Sequence, residues 1–156
     1  MINYKIKVKI IYGDYKMEFR DLYPWRRKLL MMNKPVITIV CDNGGCGKTT
    51  MARWLCEKYP HKYYYGGDIF LSSKPICNAK QKYCVIDTYF DQDHTFEKFM
   101  KKLNDIQISR MQSDWKLEPY KIIVFCNYPH GFYNMGNLCR IYEIDYETKD
   151  FITDGN

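Results

Sequence analysis

The residues with the clearest chemical potential are consecutive: Cys41-Asp42-Asn43-Gly44-Gly45-Cys46-Gly47-Lys48-Thr49-Thr50. Three glycines allow a loop tight enough for successive backbone N–H groups to converge on an anion. A helix beginning at the loop's end would add its partial positive charge. Gly47, Lys48 and Thr49 match the second half of G-x-x-x-x-G-K-[ST]. In that pattern the lysine reaches the β- and γ-phosphates of a nucleoside triphosphate and the hydroxyl coordinates Mg²⁺. Residues 42–50 are thus the expected cradle for ATP·Mg²⁺, with Lys48 on the phosphates and Thr49 on the metal. One position departs from the pattern. Asp42 stands where the first glycine belongs, and Asp tolerates unusual backbone angles better than most residues.

Such a cradle needs an acid at the end of a neighbouring strand to hold the metal through water, and Val85-Ile86-Asp87 supplies one. The catalytic acid that often follows directly is replaced by Thr88. Asp91 and Asp93 lie just downstream, although capping a helix that starts near residue 94 is the better account of both. Ile122-Ile-Val-Phe-Cys-Asn127 ends another apolar run in a carboxamide. At the carboxyl edge of an open α/β sheet, where ligands bind, Asn127 can position an attacking water. It also suits a turn before Tyr128-Pro129, and spacing alone does not separate the two.

The elements that must hold these residues follow from periodicity. Residues 4–12 and 15–19 alternate around Gly13-Asp14 and predict a β-hairpin. A short helix follows, with Asp21 or Tyr23 near its start and Pro24 in its first turn. Val36–Cys41 is a β-branched run suited to a central parallel strand buried on both faces. Thr50–Tyr59 predicts a helix that Pro60 ends. His61–Tyr65 predicts a short aromatic strand, followed by Gly66-Gly67 and a loop to about residue 80. Tyr83–Asp87 and Lys121–Asn127 are further buried strands, and Leu138–Ile144 is another. Phe96, Phe99, Met100 and Leu103 predict an amphipathic helix over 94–104. Ile106–Met111 reads as a strand, 113–119 as a loop and 148–156 as a tail. The expected organisation is a basic hairpin and helix over 1–34, a nucleotide-binding domain over 35–147 and the tail. The alternation of strand and helix predicts an α/β three-layer domain.

Taken in order, these segments resemble the superfamily-3 helicase domain. More narrowly, they resemble the helicase half of replication-initiator (Rep) proteins of small circular single-stranded DNA viruses. The likeness spans about residues 20–145. It rests on Tyr23-Pro24-Trp25, similar to the family's R-P-W-Q lead-in, and on Gly45-Cys46-Gly47-Lys48-Thr49, similar to its G-C-G-K-[ST]. Val85-Ile86-Asp87, Ile123–Asn127 and Leu138-Cys139-Arg140-Ile141 complete it. The resemblance implies a P-loop NTPase fold of the AAA+ kind with a central, mainly parallel sheet. It implies ATP and Mg²⁺ as cofactors, and a helicase acting on single-stranded DNA or RNA in viral-type genome replication. It makes Lys48, Asp87, Asn127 and Arg140 the catalytic set, with Asn127 as the γ-phosphate sensor. Arg140 would be the finger that completes a neighbour's site in a homo-oligomeric, hexameric ring. It also places nucleic-acid gripping near Ser109-Arg110, where Met111 stands at the family's lysine position. The family's nuclease half needs a His-hydrophobe-His pair. His61, His94 and His130 are isolated, so nicking is not expected of this chain.

Composition sets the outer bounds. The 156 residues carry 24 Lys and Arg against 18 Asp and Glu, and 46% are hydrophobic, enough for a packed core. Residues 1–34 hold nine basic and three acidic side chains, so the remainder is balanced and the whole net charge of +6 sits in this arm. A basic arm suits a polyanion, and alternating edge-strand lysines that deter aggregation explain it equally well. No apolar run is long enough for a membrane span, and the N-terminus has no signal core. Seven cysteines without C-x-x-C spacing predict reduced thiols and no zinc site, hence an intracellular, non-secreted protein. A nucleotide or nucleoside kinase is the rival enzyme, but no arginine cluster for a substrate lid follows residue 60. A loop that binds nucleotide without turnover is the non-enzymatic rival, and Asp42 and Thr88 favour it.

Overall fold

A computed structural model describes residues 21–42, 44–71, 80–92, 94–128 and 130–152. The predicted hairpin over 4–19, most of the basic arm, Asn43, Asp93 and residues 153–156 lie outside them. The described elements are α1 (Pro24–Met31), β1 (Ile37–Cys41), α2 (Lys48–Lys58), β2 (Tyr63–Gly67) and β3 (Tyr83–Asp87). After these come α3 (Phe96–Ser113), β4 (Lys121–Cys126), two short 3₁₀ turns (His130–Asn134 and Gly136–Leu138) and β5 (Cys139–Glu143). All five strands pair in parallel, in the order β2-β3-β4-β1-β5.

Every residue of β1 and all but the terminal residue of β3 and β4 are buried, as strands covered on both faces must be. Side chains alternate between the two faces. Val40, Tyr83, Val85, Ile123 and Phe125 join the cluster formed with α1 and α2. Ile39, Cys84, Ile86, Ile122 and Val124 join the cluster formed with α3. The result is a three-layer α/β domain. Cys41 and Cys126 take part in this packing, and burial pushes their thiols up to about 11 and about 12. Both therefore act as small apolar groups. No helix among the described residues is long and apolar enough to cross a membrane.

Two expectations are corrected. Residues 106–111 are not a strand: α3 runs unbroken from Phe96 to Ser113. Phe99, Leu103, Ile106 and Arg110 are its buried residues, spaced by four, three and four, so one helical stripe continues through the segment. The apparent alternation arose from Ile108 and Met111, which are exposed. The cap of this helix is Thr95, whose hydroxyl accepts from Lys98 N at 3.2 Å. Asp91 instead closes its own turn by accepting from His94 N.

The described residues following 147, up to 152, also pack rather than trail away. Ile144 and Phe151 form an antiparallel bridge, and Phe151 is buried against Trp25 and Tyr142. Trp25 is fully buried and meets Phe125 edge-on at 6.2 Å. Its backbone N–H donates to Lys149 O, and Lys28 pairs with Asp150 at 2.7 Å. Helix α1 and residues 144–151 thus share one core with the central sheet.

Candidate functional site

In a parallel sheet all carboxyl ends of the strands lie along one edge, and β1 sits where the connections diverge. Its chain leads to β2 at the far edge, whereas β4 leads across β1 to β5. Asp42 follows β1, Asp87 ends β3 and Asn127 follows β4. Cys41 is in register with Cys126, and Asp87 with Phe125, so these polar residues meet at one level.

The glycine loop joins β1 to α2, which begins at Lys48, two residues earlier than predicted. Gly44, Gly45 and Gly47 all have positive φ, at 118°, 85° and 78°, the backbone region from which anion-binding loops are built. At Gly47 even the space is reserved, because a Cβ there would collide with Arg26 Nη2. Arg26 is buried, lies over the Tyr23 ring at 4.6 Å and donates from Nη2 to Gly47 O at 3.1 Å. Burial lowers its pKa. This side chain of α1 fixes the loop where the helix begins.

Asp42 departs most from the expected cradle. Its side chain is 3% exposed, and Oδ1 accepts both the Lys48 ammonium and Gly44 N–H, the latter at 2.8 Å. Oδ2 is buried and has no hydrogen-bond partner among the described residues. The donors that an incoming phosphate would use are therefore engaged by a carboxylate of the chain itself. Burial lowers the Lys48 pKa, with Cys126 and Asp87 opposing the shift.

A cleft of about 320 Å³ opens beside the loop, with Lys48, Thr49, Asp87 and Asn127 in its wall together with Asp68 and Thr88. Thus Lys48, Asp87 and Asn127, separated by up to 79 positions in the sequence, are brought together. Burial raises the Asp87 pKa and nearby Asp68 adds to the rise; a hydrogen bond from the Thr49 hydroxyl and the Lys48 charge oppose it. Hydroxyl and carboxylate oxygens are the hard donors that Mg²⁺ prefers, and a cation there would favour the ionised carboxylate. Thr49 and Asp87 fit such an ion.

Asn127 lines the same cleft, but its amide is engaged. Oδ1 accepts from Phe90 N at 2.9 Å and Nδ2 donates to Phe90 O at 3.2 Å. This pair ties the loop after β3 to the end of β4. One N–H of Nδ2 and a lone pair of Oδ1 lie beyond these two bonds. The two sequence readings, turn former and ligand contact, are compatible in this geometry.

Arg140 lies elsewhere. It is exposed on the edge strand β5 and in register with Thr38, three residues or roughly 10 Å before the carboxyl edge. It contributes nothing to the cleft of its own chain. Arg110, expected beside a nucleic-acid-gripping loop, lies near the end of α3. It is buried, its guanidinium lies 3.9 Å from the centre of the Tyr120 ring and Nε donates to Glu118 O at 2.6 Å. Because 106–113 is helix, there is no gripping loop at this position. Arg110 instead fastens the end of α3 to the segment entering β4.

Asp68 was missed by sequence reasoning, although the rule that singled out Asp87, an acid ending a strand, applies to Asp68 equally. Its strand was predicted to stop at Tyr65, which left Asp68 inside a loop. Arg26 was overlooked because it belongs to a helix remote in sequence from the loop it holds.

Comparisons with protein-family models, with curated proteins and with solved structures found no match to this chain.

Proposed function

We propose that this chain is an Mg²⁺-dependent nucleoside triphosphatase of the superfamily-3 helicase kind, acting on single-stranded nucleic acid. One observation carries the reading: a glycine of a positive-φ loop, a lysine, a threonine and a strand-end aspartate border one cleft at the carboxyl edge of a parallel sheet. That combination suits a phosphate chain and its metal. The loop N–H groups and Lys48 receive the β- and γ-phosphates. Thr49 and Asp87 hold Mg²⁺, which supplies charge neutralisation on the phosphates when bound. Asn127 presents its remaining N–H toward the terminal phosphate. Arg140, exposed and outside its own cleft, is available to a neighbouring copy in a ring.

A second reading has its own support in Asp42. With Lys48 engaged by that carboxylate, the loop is a module that holds nucleotide weakly and does not turn it over. Hydrolysis of ATP by the purified chain, with and without single-stranded DNA or RNA, separates the two. The motor reading expects turnover that rises with one nucleic acid and is lost in Lys48→Ala. Mixing Lys48→Ala with Arg140→Ala chains should restore part of it if Arg140 acts across subunits. Nucleotide binding without turnover under every condition leaves the binding module.

A further inference from the structure

We propose that Asp68 orients the water that attacks the γ-phosphate and accepts its proton, taking the place of the acid missing at position 88. This rests on the reading of the cleft as a nucleoside-triphosphatase site. Hydrolysis by in-line attack needs a group to position the water, and the cleft wall offers few. Asn127 spends much of its amide on the Phe90 backbone. Thr88 Oγ1 donates to Asp68 Oδ1 at 2.9 Å, so its hydroxyl proton is already directed at a carboxylate. Asp87 is bonded to Thr49 and assigned to the metal. Asp68 is the other acid of this wall.

The local structure is arranged to put Asp68 there. Strand β2 follows the register of β3 from Tyr63 to Tyr65, and then a bulge lets Gly67 pair with Ile86. Bulges re-aim the chain at strand ends, commonly beside active sites. Gly67 has φ 66°, and Gly66 packs so closely that a Cβ would lie 2.8 Å from Ile86 Cδ1 and 3.3 Å from Val85 O. Two glycines therefore bring the backbone down onto β3 and turn Asp68 into the cleft. Once there, Oδ1 is fixed by Thr88 Oγ1 and by Phe70 N–H at 3.0 Å. Oδ1 carries both of these bonds, and Oδ2 is the oxygen assigned to the water. Position 88 thus keeps a part in the reaction as a positioning residue, through a hydroxyl that fixes a carboxylate arriving from another strand. Asp91, the first acid after Thr88, is exposed, faces His94 at 3.1 Å and lies outside the cleft wall.

In the step itself, the water oxygen forms a bond to the γ-phosphorus as the bond to the β–γ bridging oxygen breaks. The electron pair leaves with the nucleoside diphosphate. The water proton passes to Asp68 Oδ2 and from there to the released phosphate or solvent.

Asp68→Asn keeps the shape and the Oδ1 acceptor but removes the proton acceptor. Binding of ATP·Mg²⁺ by calorimetry and single-turnover hydrolysis should be measured on the full chain, its Asp68→Asn and Asp91→Asn variants, and Lys48→Ala. The expected result is binding by Asp68→Asn within about threefold of the unaltered chain, with hydrolysis down by roughly 10²–10⁴. Asp91→Asn should hydrolyse normally. Hydrolysis by Asp68→Asn within about threefold of the unaltered chain overturns the assignment, as does equal loss in Asp91→Asn. An unaltered chain that binds ATP·Mg²⁺ without hydrolysing it also overturns it while leaving the phosphate loop intact. If that chain binds no nucleotide, the site reading falls first and the role of Asp68 with it.

Discussion

The Asp42 side chain is almost wholly buried beside the glycine loop. A carboxylate that engages Lys48 and Gly44 N–H occupies the donors that a phosphate oxygen would seek. On the proposed reading nucleotide must displace it, so apparent affinity is scaled down to the fraction of molecules in which the pair is open. Asp42→Asn removes the charge while keeping an acceptor for Gly44. We expect calorimetry to show ATP·Mg²⁺ binding at least about tenfold tighter than in the unaltered chain. The nucleotide-free protein should lose about 3 kcal/mol in urea unfolding, because Lys48 is left largely buried without its partner. Unchanged affinity would show that the pair does not stand in the phosphate's way.

At the scale of elements, strand β2 shows how little side chain is needed to place a functional one. Gly66 allows contact between two strands, and Gly67 supplies the positive φ that a turn to Asp68 requires. Gly66→Ala inserts a methyl against Ile86 and against backbone that cannot retreat. A loss of about 1–3 kcal/mol in thermal or urea unfolding is expected. ATP·Mg²⁺ hydrolysis should fall further than ATP·Mg²⁺ binding, since Asp68 shifts while Lys48 and Thr49 stay on another element. Equal loss of both, or of neither, would detach β2 from the chemistry. Helix α3 makes the complementary point, because its continuity places Arg110 on a buried helical stripe, bonded to Glu118 O.

For the molecule as a whole, the edge of the sheet opposite the cleft carries a cost of its own. Lys34 enters β1 from the amino-terminal side and is buried, with Nζ 5.4 Å from the centre of the Tyr83 ring. Burial, reinforced by the nearby charges of Lys62 and Lys121, lowers its pKa to about 8. In the unfolded chain the group titrates near 10.4. The folded state therefore holds this proton less tightly than the unfolded state. The penalty is fully present below about pH 8 and is relieved as pH rises from about 8 to about 10.4. Lys34→Met should be more stable than the unaltered chain at pH 7 by on the order of 2 kcal/mol, with the difference shrinking toward pH 10.4. Urea unfolding at both pH values checks it, and a difference that grows with pH would reverse the assignment.

The sequence by itself determined the local features of this protein. Doubly buried strands read as unbroken β-branched and apolar runs, so β1, β3 and β4 were legible to within a residue or two. The spacing of glycines, lysine and threonine over 44–49 marked a loop able to meet an anion, and an acid or amide ending a strand marked Asp87 and Asn127. Tertiary structure decided which of these groups meet and which are already occupied. Nothing in the order of residues says that β4 lies between β1 and β3, that Asp42 turns back onto Lys48, or that Asp68 reaches Thr88 from a neighbouring strand. Arg26 on the loop and Phe151 in the core belong to the same class. Local patterns record the period of one element against solvent or core. Pairings across elements depend on strand order, register and burial, and these are set by the packing of the whole chain.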